Sequence, residues 1–202
     1  MAATLTQYRV FISSPKGLEE ERKAFYKEVN DYDEIDARPR GVSFLAIGSE
    51  KVVPEYGRPQ SIINKELYNC DYFVLVLWDR WGTPPGTLDQ TVYSSGSEEE
   101  FNEAVNCLSK KIICGIVVMF KEIENTELAN QDEQLQKVIK FKKKLETDQT
   151  LFYQKFSSTE DFRKILRRCL AKWVQHHVSK IAKVPVEKTV LEYERPGENV
   201  GN

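Results

Sequence analysis

The chain has 202 residues, and 30% of them are charged, yet the formal net charge is only −2. A hydrophobic content of 41% is enough to fill the core of one domain of ordinary size. The balanced charge gives no basic surface of the kind that binds nucleic acid, so we expect no direct nucleic-acid partner.

The cysteines and histidines show no metal-site pattern. The four cysteines are scattered, and the two histidines are adjacent in the sequence. We therefore expect no bound metal, no cofactor, and a location in the reducing cytoplasm. The longest apolar run, residues 112–120, is too short to cross a bilayer, and the first residues lack a signal-peptide pattern. We expect no membrane contact.

The amino-terminal part of the chain predicts two strands and two helices. Residues 8–13 are typical of a strand, and Ser14 followed by Pro15 is typical of a helix N-cap and first helical residue. Residues 42–47 predict the second strand, and residues 61–68 predict a short helix. The side chains that we expect this helix to bury are Ile62, Ile63 and Leu67.

The centre of the chain contains the most apolar predicted strand. Residues 72–78 are apolar or aromatic without alternation, which predicts a strand buried on both faces of a parallel sheet. Trp78, Arg80 and Trp81 lie at its carboxyl end. Because open α/β sheets bind ligands at the carboxyl ends of their strands, we expect the functional site here.

An acidic helix start follows this strand. Ser97 and Glu100 have the S-x-x-E spacing of a capping box, which predicts a helix over about residues 98–108. Glu100, on this helix, can fold back over the crevice at the end of the preceding strand.

The carboxyl-terminal part completes the alternation. Residues 111–120 and 151–156 predict two further strands, and residues 131–146 between them predict an amphipathic helix. A second capping box at residues 157–161 predicts the start of the longest helix. His176 and His177 point about 100° apart on that helix, so we expect them at its surface. We expect one domain over residues 1–178 and a polar tail or linker over residues 179–202.

Five predicted strands that alternate with five helices favour an α/β three-layer sandwich with a parallel sheet. The flavodoxin-like strand order 2-1-3-4-5 is the topology that we predict. It places the order reversal between strands 1 and 3. Ser13 and Ser14 then lie at the carboxyl end of strand 1, beside the residues that follow strand 3.

Four segments resemble, in the same order, an uncharacterised TIR-like domain that is often found ahead of NTPase or tetratricopeptide regions. The segments are VFISS with LEEER, CDYFVLVLWDRWG, SGSEEEFNEA and KFSSTEDFRKILRRCLAKW, and they span residues 8–174. Pro15 stands where the family more commonly has threonine. TIR domains and nucleoside deoxyribosyltransferases share the predicted sheet and an acidic helix after strand 3.

The resemblance implies a catalytic role for one carboxylate. In both groups a glutamate lies four residues before an alanine on that helix, and Glu100 and Ala104 have this spacing. The implied activity is cleavage of an N-ribosyl bond, with NAD or a related nucleotide as substrate. The resemblance also implies activation by self-association and a place in bacterial immune signalling.

The strand ends and the acidic helix supply candidate residues for binding this substrate. Trp78, Trp81 and Tyr93 offer aromatic faces to a ring. Arg80 can pair with pyrophosphate, and the helix start after Ser14 can bind phosphate. The candidate set is Glu100 for catalysis and, for substrate binding, Ser13, Ser14, Trp78, Arg80, Trp81, Tyr93 and Ser97.

Each candidate also has a structural interpretation. Glu100 would be the third residue of the capping box, where a carboxylate is favoured in any case. The two tryptophans can seal the sheet edge, and the two serines after strand 1 can cap a helix. The alternative function is a TIR-like interaction module without enzyme activity. A phospho-receiver is excluded because Ser13 and Ser14 stand where that fold needs acidic metal ligands.

Overall fold

The computed structural model describes residues 5–53, 56–86, 92–124, 132–149 and 151–181. In these residues, five strands alternate with five α-helices. The strands are β1 (Thr6–Ser13), β2 (Val42–Gly48), β3 (Tyr72–Leu77), β4 (Gly115–Lys121) and β5 (Tyr153–Phe156). The helices are α1 (Glu19–Tyr32), α2 (Pro59–Tyr68), α3 (Gly96–Ser109), α4 (Glu133–Asp148) and α5 (Thr159–Ile181).

The strands form one parallel sheet of order β2-β1-β3-β4-β5 with helices on both faces, which confirms the predicted topology. All six residues of β3 are buried, as the unbroken apolar run predicted. The reversal of strand order falls between β1 and β3, so the crevice expected there lies at Ser13 and just beyond Leu77.

Two cores lie on opposite faces of the sheet. Tyr72, Val74 and Val76 of β3 point into the core on the α1/α5 side. Phe73 and its alternate neighbours on β3 point into the core on the α2/α3/α4 side. The alternation of side chains along a strand therefore divides one apolar run between two helical layers.

The predicted start of the first helix is wrong. The helix α1 begins at Glu19, after Leu18, and no side chain caps its first amides. Gly17 has φ +95°, so the chain turns in the left-handed region before the helix begins. Ser14 instead accepts two hydrogen bonds from Arg22 Nη1, one on its Oγ at 2.8 Å and one on its carbonyl oxygen at 3.0 Å.

A serine caps the start of α5, within the second predicted capping box. The backbone amide of Asp161 donates to Ser158 Oγ at 3.2 Å. The strand β4, in contrast, begins at Gly115 and not at Lys111. Lys111 has φ +59°, so the first residues of that apolar run form a turn, and Ile113 fills the core from there.

The prediction that both histidines lie at the surface is wrong for one of them. His177 is only 3% exposed, its Nε2 lies 2.7 Å from Tyr72 Oη, and its ring stacks on Tyr8 with centroids 3.5 Å apart. His176 is exposed. The last turns of α5 therefore cover the amino-terminal ends of β1 and β3.

The helix α5 continues to Ile181, past the predicted start of the tail at residue 179. Residues 182–202, the rest of the predicted tail, lie outside the described residues. Among the helices of the described part, none is both long and apolar enough to cross a bilayer.

Candidate functional site

Three segments converge at the carboxyl edge of β1 and β3. A Cβ placed on Gly17 would lie 3.8 Å from Asp79 Oδ1, so the loop after β1 touches the loop after β3. A Cβ placed on Gly82 would lie 3.3 Å from Ser95 Cβ and 3.9 Å from Pro15 Cβ. The loop after β3 is thus packed between the loop after β1 and the start of α3.

The start of α3 has a different cap from the predicted one. Ser95 is the N-cap, and its Oγ accepts from the Glu98 amide at 3.0 Å. The Glu98 carboxylate accepts from the backbone amide and the hydroxyl of Ser94, both at 2.7 Å. The predicted capping box of Ser97 and Glu100 is therefore wrong by two residues, and Ser97 is the second residue of the helix.

This register leaves Glu100 with no capping role. Glu100 is the fifth residue of α3, and only 6% of it is exposed. Its Oε1 accepts from Gln60 Nε2 of α2 at 2.9 Å. The capping interpretation of Glu100 is therefore wrong, because Ser95 caps the helix.

Burial raises the pKa of the Glu100 carboxyl above its usual value. The Ser13 hydroxyl and the Gln60 amide lie close enough to lower this pKa in part, while the charges of Glu99 and Glu50 raise it further. Ser13 Oγ is itself buried and forms no hydrogen bond of ordinary geometry within the described residues. The Glu100 carboxylate and the Ser13 hydroxyl therefore share the end of β1.

Glu99, the neighbouring carboxylate, is held in a different way. Arg58 forms a two-point ion pair with it, from Nη1 to Oε1 at 2.8 Å and from Nη2 to Oε2 at 2.5 Å. Asn64 Nδ2 also donates to Glu99 Oε1 at 2.8 Å, and Gln60 Nε2 lies 3.3 Å from Asn64 Oδ1. One polar network therefore links Glu99 and Glu100 of α3 to α2.

Arg58 also fixes the loop after β3. Its Nε donates to the carbonyl oxygen of Pro85 at 3.2 Å, and its Nη2 donates to that of Gly86 at 2.9 Å. A single, partly buried guanidinium thus connects the start of α2, the first turns of α3 and this loop.

Two further buried polar groups at the same edge of the sheet lack partners within the described residues: Tyr26 Oη and Trp78 Nε1. Tyr26 Oη packs against Gly48, the last residue of β2, beside the Glu50 carboxylate. Burial is the main cause that raises the pKa of Tyr26. Glu50 lies close enough to raise this pKa as well. Ser13 Oγ and Trp78 Nε1 are therefore the groups at the ends of β1 and β3 that a ligand with polar atoms can satisfy.

The two candidate tryptophans lie on opposite sides of the sheet. Trp78 packs on the α1/α5 side, and Lys121 Nζ lies 4.4 Å from the centre of its ring. Trp81 is 5% exposed on the α2/α3/α4 side, and its Nε1 donates to Ser94 Oγ at 2.7 Å. The structure does not bring them together around one position.

The remaining candidates, Arg80, Tyr93 and Ser14, have different surroundings. Arg80 has a side chain that is 62% exposed and lies 3.8 Å from Asp79. Tyr93 is half-buried, and burial is the main cause that raises its pKa, followed by the charges of Glu103 and Glu99. Tyr93 therefore lies beside the polar network, whereas the Ser14 side chain is occupied by Arg22.

The sequence reasoning missed Arg58, Gln60 and Asn64. It expected Ile62, Ile63 and Leu67 to be buried by α2, but both isoleucines are only half-buried. The buried residues are Gln60, Asn64 and Leu67. Their i, i+4, i+7 spacing places them on one face of the helix. Two polar residues on that face were the sequence signal that indicates a buried polar contact of α2.

A family model described as a domain of unknown function, DUF4062, matches residues 9–171. The chain belongs to this family. No curated protein sequence matches the chain.

Several solved structures are similar in fold. The structure of the RPS4 and RRS1 TIR domain heterodimer aligns over 83% of this chain and 97% of its own, with 10% identity and a TM-score of 0.43. The TIR domains of the activated Roq1 resistosome align over 86% and 99%, with 16% identity and a TM-score of 0.40. A D319A mutant of the PilB minor pilin from Streptococcus sanguinis aligns over 92% and 65%, with 12% identity and a TM-score of 0.46. Alignments this distant do not identify a function.

Proposed function

We propose that this domain cleaves the N-ribosyl bond of NAD, with Glu100 as the catalytic carboxylate. The observation that carries the proposal is the setting of Glu100. It is buried at the end of β1, it accepts a hydrogen bond from the neutral Gln60 amide, and it has no capping role. Burial disfavours its charged form, and a carboxylate shifted in this way is typical of a functional site.

The reaction needs only one such carboxylate. The bond between ribose C1′ and the nicotinamide nitrogen breaks, and its electron pair leaves with the ring, which becomes neutral. The positive charge that develops on the ribose is stabilised by the ionised Glu100. Water then bonds to C1′ and loses a proton to solvent. The leaving group is already cationic in the substrate, so no general acid is required.

Other residues at the edge supply binding groups for the same substrate. The buried Ser13 hydroxyl, which lies close to Glu100, can donate to a ribose oxygen at this position. Tyr93, beside the polar network, can stack on a ring, and the exposed Arg80 can reach a pyrophosphate. Trp78 packs on the opposite face of the sheet, and the Ser14 hydroxyl is already bonded to Arg22. Trp81 holds the loop after β3 through its bond to Ser94, and Ser97 is the second residue of α3.

The family resemblance adds two parts to the proposal. The first is activation by self-association: the isolated domain is silent or weakly active, and the association of several copies raises its activity. The second is a role in bacterial immune signalling, with the NAD pool as the target. Both rest on the resemblance of the segments around Ser13 and Glu100 to TIR-like domains.

The test is nicotinamide release from NAD by the full chain, both dilute and held together by a fused oligomerising tag. Glu100→Gln should lower the rate by about 100- to 1000-fold, because an amide cannot replace the charge that faces the developing cation. Glu103→Gln is the matched control. It removes a charge from the same helix at a half-buried site, where the carboxylate accepts a hydrogen bond from Tyr68 Oη at 2.8 Å.

Equal rates for wild type and Glu100→Gln, with NAD cleaved, would place the catalytic group elsewhere. No cleavage by wild type in either assembly state would favour the second candidate function, a TIR-like interaction module. The polar network of Arg58, Glu99 and Asn64 would then serve only to hold α2 against α3.

A further inference from the structure

An apolar groove lies between α3 and α4, away from Glu100. Its volume is about 790 Å³, and Glu100 does not line it. Trp81, Phe101 and Phe141 form its floor, where the ring of Phe141 lies 5.1 Å from each of the other two. Val105 of α3, which is 39% exposed, forms part of its wall. We call this feature the α3/α4 groove.

Lysines follow one edge of the α3/α4 groove. Lys137, Lys140 and Lys144 of α4 all line it. Their i, i+3, i+7 spacing places them in a row of about 10 Å along the helix. Lys137 pairs with Glu133 at 2.7 Å. The salt bridges found among the described residues do not include Lys140 or Lys144, so both ammonium groups are available to a partner.

The other charges around the groove are few. Glu98 and Asp148 line it, and the Glu98 carboxylate is already bonded to Ser94. Lys142 lies 5.6 Å from the ring centres of Phe120 and Tyr153, away from the groove, and Lys143 is exposed and does not line it. The positive edge is therefore specific to the side of α4 that faces α3.

We propose that the α3/α4 groove binds an acidic amphipathic helix of a partner protein. A helix has an apolar stripe that can lie on the aromatic floor, as in other helix-in-groove interfaces. Carboxylates one turn apart beside that stripe would meet Lys140 and Lys144, which are themselves one turn apart. A small amphiphile with one carboxylate would satisfy only one of the two lysines, so the row of charges favours a helix.

The probe is a synthetic amphipathic peptide of about 18 residues, or about five turns, with a leucine stripe flanked by glutamates. A second peptide has lysine in place of each glutamate. Binding to the full chain is measured by the anisotropy of a fluorescent label on the peptide. The acidic peptide should bind with an affinity that falls as salt is added, and the basic peptide should not bind.

Variants locate the binding site. Reversing two rim charges in the double variant Lys140→Glu, Lys144→Glu should weaken the acidic peptide by up to about tenfold, the combined scale of two exposed ion pairs. Val105→Glu should weaken the binding of the acidic peptide more than this double variant does, because the new carboxylate lies against the apolar stripe of the peptide. Lys143→Glu is the control on the same helix outside the groove, and it should leave binding unchanged.

Three results would overturn the proposal. The first is no binding of the acidic peptide, or an equal loss in Lys143→Glu. The second is saturable binding of sodium decanoate in the groove with no binding of either peptide, which would make the groove a small-molecule site. The third is self-association of the full chain that Val105→Glu abolishes, which would make a second copy the occupant.

Discussion

Buried carboxylates occur on both faces of the sheet, but their partners differ. On the α1/α5 side, Glu21 and Glu28 are 1% and 2% exposed. Lys121 Nζ lies 2.9 Å from Glu21, and Arg163 and Arg167 contact Glu28 at 2.9 and 2.6 Å. Both of these buried charges meet a cation, so these carboxylates join α1 to β4 and α5.

On the other face, α3 presents two consecutive carboxylates with opposite surroundings. Glu99 has the guanidinium of Arg58, whereas Glu100 has the neutral amide of Gln60 and the hydroxyl of Ser13. Burial without a cation costs stability, and a protein retains such a group where function requires it. The comparison separates carboxylates that hold the fold from the one that we assign to chemistry.

The largest effect on stability is expected at Glu99. The side chains of Arg58 and Glu99 are 12% and 5% exposed, so Glu99→Gln leaves a buried guanidinium without its counter-ion. We expect the free energy of unfolding to fall by about 3–5 kcal/mol. Urea denaturation measures it, with Glu103→Gln as the control. A loss no larger than that of the control would mean that water already solvates the Arg58 guanidinium in the folded protein.

A smaller effect is expected at Glu28, on the other face. Glu28→Gln removes the charge that Arg163 and Arg167 contact, but these two side chains are 33% and 46% exposed. Water can solvate the released guanidiniums, so we expect a loss of about 1.5–3 kcal/mol in the same denaturation experiment. If Glu28→Gln destabilised the protein more than Glu99→Gln, burial of the cation would not be what decides the loss.

The smallest effect, and the one with the opposite sign, is expected at Glu100. Its pKa in the folded protein is raised, so its contribution to stability is present at low pH and is lost as pH rises through that pKa. The amide introduced by Glu100→Gln does not titrate. This substitution should therefore raise the melting temperature at neutral pH by about 2–4 °C, the shift that about 1 kcal/mol produces in a domain of this size.

The gain should shrink as pH falls below the usual range of a glutamate, because the wild-type carboxyl is then neutral as well. Melting curves of both proteins across this pH range measure the difference. A gain that is independent of pH would show that the amide, and not the loss of charge, is responsible.

The fold was predictable because its signals are local. The apolar run of β3 indicates a central strand, and the alternation of elements favours a parallel sheet, without reference to any distant residue. The order 2-1-3-4-5 was the flavodoxin-like choice among such sheets, and the structure confirms it. Glu100 was identified through its spacing to Ala104 in a resemblance. The cap was not predictable, because three serines stand close to three consecutive glutamates and Ser95 and Ser97 both have a glutamate three residues later.

The residues of α2 that contact α3 could not be predicted from local sequence patterns, because they are distant from α3 in the sequence. Gln60 contacts Glu100 across 40 residues of sequence, and Arg58 reaches Glu99 across 41. The spacing of Gln60 and Asn64 places them on one face of α2, but the sequence does not show what that face or Arg58 contacts. Only the packing of α2 on α3 gives these residues a role, and that packing is decided by the tertiary structure.

The buried end of α5 has a practical consequence for anyone who expresses this domain alone. The family match stops at residue 171, yet Trp173, Val174 and His177 are all buried. A polypeptide cut at residue 171 would uncover the ring of Tyr72, which stacks on Trp173 at 3.9 Å, and would leave its hydroxyl without the imidazole. A fragment that keeps these contacts must extend past His177 and Val178, which pack on the same core.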